Sequence, residues 1–77
     1  MLRWIFQKGT QLVTCQLDRE ARATGYTLAL IPHRDLDATI IERFGSGMRA
    51  LHRHASIAAR LRQLGWTVIV YTQPSVA

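Results

Sequence analysis

The run from Ser46 to Trp66 constrains this chain most, because it is the one stretch long enough for a helix of several turns and it closes on a glycine stop. Leu51, Ala55, Ala58, Leu61 and Leu64 recur at spacings of three and four, with His54 and Ile57 at the edges, the periodicity of a helix with one buried stripe. Arg49, Arg53, Ser56, Arg60 and Gln63 fall on another face at the same period. Ser46 stands at the N-cap position, although Arg49 lacks the carboxylate of a capping box. Gly65 follows Leu64 as a C′ glycine, and Trp66 is placed to fold back on Leu61. Such a helix buries its stripe only against another apolar layer, which the remaining segments must supply.

Those segments alternate like strands. Leu2, Trp4 and Phe6 alternate with Arg3 and Gln7, interrupted by Ile5, and Lys8-Gly9-Thr10 forms a short hairpin loop. Val13, Cys15 and Leu17 then point one way while Thr14, Gln16 and Asp18 point the other. A polar loop is expected over Arg19–Gly25. Tyr26, Leu28 and Leu30 form a third strand that Pro32 ends. Residues 37–44 allow two readings. Asp35 or Asp37 could cap a helix bearing Leu36, Ile40, Ile41 and Phe44, or Asp37 to Phe44 could be a fourth strand. The β-branched triplet Thr39-Ile40-Ile41 favours the strand. Thr67–Thr72 is a β-branched and aromatic fifth strand ended by Pro74, lying antiparallel beside the first or pairing with another copy. The expected fold is α+β and two-layered: an antiparallel sheet of four to five strands, ordered β-β-β-β-α-β, with one long helix packed on one face.

At 77 residues the chain predicts a single domain over 1–77, burying only about 60% of the surface its unfolded form exposes. A deep enclosed cavity is not expected, so a ligand would meet a face, an edge or a subunit boundary. Cys15 is the only cysteine, which fits a reducing compartment. Residues 1–8 hold no signal-like apolar region and no apolar run approaches a membrane span, so the expected location is cytoplasmic. The net charge of +5 is unevenly placed. Arg49, Arg53, Arg60 and Arg62 stand between Ser46 and Leu64 with no acid, so the helix carries +4 and the rest of the chain +1.

Trp4-x-Phe6 near the start, Glu42-Arg43-Phe44, and Leu61-x-x-Leu64-Gly65-Trp66 at the helix end together resemble a group of short uncharacterised bacterial proteins across most of the chain. That group tends to carry a Pro-Asp-Gly type turn where this chain has Pro32-His33-Arg34-Asp35. The resemblance implies a strand meander with one helix, and no activity. The outline is also similar to single-strand DNA-binding coactivator domains, whose open sheet face binds the strand.

No constellation of residues carries an obvious chemistry. His52 and His54 are two apart and point about 200° from each other on a helix, so they do not chelate one ion. His33 falls in a polar turn near Asp35 and Asp37, and Cys15 has the parity of a small buried thiol. Gly45-Ser46-Gly47 lacks the lysine and glycine spacing of a phosphate loop, so it is a plain N-cap. No catalytic residue, cofactor, metal site or small-molecule substrate is therefore expected, and the protein reads as a non-enzyme. What remains is the stripe Arg49, Arg53 and Arg60, with Arg62 nearby, suited to tracking phosphates of a nucleic acid or to meeting an acidic protein. Trp66 and Tyr71 are the aromatics not assigned to a core. The alternative is a self-assembly module. Ile5, Leu12, Ala29, Ile31 and Ile41 share the outward parity of their strands, and Val68 and Val70 mark an apolar edge, which together predict a homodimer interface.

Overall fold

The computed structural model describes residues 2–20 and 24–72. Its elements are β1 (Leu2–Lys8), β2 (Gln11–Arg19), β3 (Tyr26–Pro32), a 3₁₀ turn (Leu36–Ala38), β4 (Ile40–Phe44), α1 (Gly47–Gln63) and β5 (Thr67–Thr72). One five-stranded sheet results, in the order β4-β3-β2-β1-β5, with every neighbouring pair antiparallel. The first four strands form a meander, and α1 carries the chain back from the β4 edge to the β1 edge. There β5 pairs with β1 of its own chain. The loop expected over Arg19–Gly25 starts one residue later, since β2 reaches Arg19, and its centre (21–23) and Pro74 lie outside the described residues.

The ambiguous segment is a strand, but a shorter one than Asp37–Phe44. Leu36–Ala38 turns as a 3₁₀ helix first, and the Thr39 hydroxyl donates to the Leu36 carbonyl at 2.7 Å before the β-branched pair Ile40-Ile41 enters the ladder. The helix ends as its sequence requires. Gly65 takes φ +95°, Trp66 N–H donates to the Leu61 carbonyl at 2.9 Å, and Gly65 N–H donates to the Arg62 carbonyl at 3.1 Å, the two bonds of a Schellman ending.

Phe6, Cys15, Leu17 and Leu28 from the sheet meet Ala50 and Ala58 from α1 in the core. The helix is therefore rotated from the stripe its leucines predict. Ala50, His54 and Ala58 are buried, whereas Leu51 is 50% exposed and Leu64 46% exposed. Small side chains under the axis let the helix sit close to the bulky Phe6 and Leu28, and the larger Leu51 is turned out to the flank. Coverage is incomplete for a geometric reason. A helix about 10 Å across spans about two strand spacings of ~4.8 Å, while five strands make a sheet about 24 Å wide. The helix rests chiefly over β2, β3 and β4. The helix side of β1 and β5 is left partly open. No helix among the described residues is long and apolar enough to cross a membrane.

Candidate nucleic-acid interface

The structure divides the four arginines between two flanks of α1. Arg53 and Arg60 share a groove of about 310 Å³ with Leu30, Ser56, Ile57 and Leu61, on the β3–β4 flank. Arg49, four residues before Arg53, lies on that same side of the helix. Arg62 falls on the other flank, with its guanidinium 5.7 Å from the centre of the Trp4 ring on β1. The stripe Arg49, Arg53 and Arg60 thus keeps to one side of the helix, and Arg62 stands on the other. Arg53 is also partly neutralised, because its Nε donates to Glu42 Oε1 at 2.8 Å from the helix-facing side of β4. Both partners are substantially exposed, so this pair contributes little stability, yet it removes one cation from the surface. Among the described residues, Arg49, Arg60 and Arg62 form no ion pair.

Positive charge also gathers at the helix C-terminus. Lys8 Nζ donates to the Leu64 carbonyl at 2.6 Å, and Arg60 and Arg62 occupy the last turn. A helix C-terminus carries roughly −0.5 elementary charge, so three cations more than offset it.

The β5 flank holds the feature that residue spacing did not reveal. Trp4, Arg62, Val68, Ile69 and Tyr71 line a groove of about 370 Å³, with Tyr71 62% exposed. The Trp4 and Tyr71 rings are 6.2 Å apart and inclined at 59°, a tilted pair rather than a stacked one. The signal in the sequence was Tyr71 left without a core partner. Its neighbours were not legible until β5 was known to pair with β1.

Below this groove lies His54, 3% exposed, its ring 5.1 Å from Trp4 in a T-shaped contact. Burial holds its pKa below the usual 6.5, with a hydrogen bond to the Cys15 backbone acting in the opposite direction. Trp4 Nε1 and His54 Nε2 are buried without a hydrogen-bond partner among the described residues. Cys15 is a free, fully buried thiol whose pKa is pushed up to about 11, chiefly by burial, so the reactive thiolate is scarce at neutral pH. His52 is exposed, and His33 Nε2 lies 2.6 Å from the Thr14 hydroxyl. The described residues hold no cluster of three His, Cys, Asp or Glu side chains able to hold a metal.

No helix among the described residues covers the opposite face of the sheet. Strand pairing places Ile5, Leu12, Ala29, Ile31, Ile41 and Val70 there together, around Thr14. Val68 does not belong to this set. It pairs with Phe6 and packs against the core on the helix side, because the register of β5 shifts between the partners of Ile5 and Phe6. All six aromatic residues lie on the helix side: Tyr71 beside Trp4, and the other five packed in or against the core. No family model matches the chain, and neither a curated protein nor a solved structure matches it.

Proposed function

We propose that this protein is a small non-catalytic module that binds the phosphate backbone of nucleic acid across its helix layer. The observation that supports this reading is the charge of that layer. Arg49, Arg60, Arg62 and Lys8 surround α1, and Glu42 alone among the acids pairs with a helix residue. Phosphates need only guanidinium and ammonium groups in reach, so the affinity should be salt-dependent and tolerant of sequence. An acidic protein would meet the same cations, and the exposed aromatic Tyr71 in the groove with Arg62 adds a surface on which a base can stack. A reducing, cytoplasmic setting goes with the buried free thiol of Cys15.

Fluorescence anisotropy with labelled single-stranded and double-stranded oligonucleotides tests this. Neutralising about three phosphates gives a slope of log affinity against log salt near −2 for single strands and near −3 for duplex. The double variant Arg49→Glu, Arg60→Glu should weaken binding about 10-fold or more and flatten that slope. A wild-type protein that binds neither form at micromolar concentration would remove the proposal.

A second reading is a homodimer through the uncovered face, favoured by Ile41 at 61% and Val70 at 47% exposure beside Ile5, Leu12 and Ile31. Five strands by about five residues give roughly 400 Å² of flat area per copy, which puts a face-to-face pair at the small end of specific interfaces. The dimer should therefore be reversible. Light scattering across a concentration series should show the mass rising toward twice that of the monomer, and Ile31→Asp should hold it at the monomer. It is compatible with the first reading, since both helix layers would remain outermost.

A further inference from the structure

Resting on the nucleic-acid reading, we infer that the groove between α1 and β5 is a base pocket, in which an unpaired nucleobase stacks on Tyr71 beside the Arg62–Trp4 pair, and that the ligand is consequently single-stranded. Val68 and Tyr71 are three residues apart, so in a regular strand they would point to opposite faces of the sheet. Here both face the helix side, opposite Phe6 and Trp4, because β5 carries one extra residue, Ile69, between the partners of Phe6 and Ile5. A bulge of this kind re-aims a side chain. Its effect is to deliver a tyrosine ring into the groove lined by Trp4, Arg62, Val68 and Ile69.

That ring is available. Tyr71 is 62% exposed, so most of its surface remains open to a ligand even with Trp4 beside it. The groove, about 370 Å³, falls at the small end of the ~300–1,000 Å³ common for small-molecule pockets, suited to a planar ring rather than to a duplex. Arg62 already lies over Trp4 at 5.7 Å, which holds its guanidinium at the rim where the phosphate or sugar attached to that base would pass. Arg60 and Gln63 continue the path over the last turn of α1 toward the β3–β4 flank. In a duplex the base faces are covered by their neighbours, so a stacking contact of this kind selects for unpaired strand. The uncovered face of the sheet offers no equivalent, since the six aromatics are all on the helix side.

The test is anisotropy with a short labelled oligothymidylate and with its duplex on oligoadenylate, at one salt concentration and then across a salt series. Tyr71→Ala should weaken single-strand binding about 10-fold or more, leave the salt slope and the duplex affinity as in the wild type, and be rescued by Tyr71→Phe. Single-strand binding unaltered by Tyr71→Ala, or duplex bound as tightly as single strand, overturns the base pocket while Arg49→Glu with Arg60→Glu still reports on the charge reading. Binding of neither form by wild-type protein overturns both. A second measurement is independent of whether Tyr71→Ala folds. In a Trp66→Phe background, Trp4 is the sole tryptophan, and its emission should be quenched as oligothymidylate is added. Emission that does not change while anisotropy reports binding overturns the inference.

Discussion

Phe6→Ala is expected to leave this domain largely unfolded at 37 °C. Phe6 is 0% exposed and sits on β1 between Val13 of β2 and Val68 of β5, beneath α1. Removing its ring forfeits the transfer free energy of the aromatic group and leaves a cavity that the rigid sheet closes only in part, a loss of about 3–5 kcal/mol. At about 0.05–0.15 kcal/mol per residue, a chain of this length holds only ~4–12 kcal/mol in total. Urea unfolding followed by circular dichroism should show the midpoint falling by about a quarter or more, or no folded baseline at all. Leu36→Ala is the control. Leu36 is 67% exposed in the 3₁₀ turn, so its loss should change stability by less than about 0.5 kcal/mol. A Phe6→Ala midpoint close to that of Leu36→Ala would place the core elsewhere.

Acid should destabilise the protein through His54. The folded state holds this imidazole below 6.5 by burial, whereas the unfolded state has no such restraint. Above about pH 6.5 the group is neutral in both states and contributes no pH dependence. As the pH falls below that value the unfolded chain takes up a proton that the folded chain refuses, so stability drops by up to about 1.4 kcal/mol per pH unit until the folded pKa is reached. Replacing the ring with an apolar side chain removes the term. Stability measured by urea titration at pH 7 and pH 5 should fall for the wild type, and the difference should shrink in His54→Leu. Equal pH dependence in the two proteins would show that other groups govern acid sensitivity.

The strands and the helix end were legible because each rests on local chemistry. Period-two alternation in Val13-Cys15-Leu17, the β-branched pair Ile40-Ile41 and the glycine after Leu64 all act within a few residues, although the fourth strand begins only at Ile40, after the 3₁₀ turn. The rotation of α1 was not legible, because it depends on what lies beneath. Leucine at 51 is a better core residue than alanine at 50 in isolation, but the bulk of Phe6 and Leu28 reverses that order. The same holds for the site. Helical spacing put Arg49, Arg53 and Arg60 on one flank, yet nothing local assigned Glu42 to Arg53, Arg62 to Trp4, or an extra residue to β5. Each of those depends on pairing between segments distant in the chain.

The position of β1 in the sheet also joins the shortest connection of the chain to the longest. Its partner β2 follows after a two-residue turn, and β3 and β4 add in sequence by antiparallel neighbours, so the meander can zip from short loops. The second ladder of β1, to β5, joins segments some sixty residues apart, and the Lys8 contact to the Leu64 carbonyl spans 56 positions. Closing so long a loop carries a larger entropy cost than closing the hairpins of the meander. The groove that holds Tyr71 therefore hangs on the one ladder of greatest sequence separation, and it exists only while β5 is docked on β1.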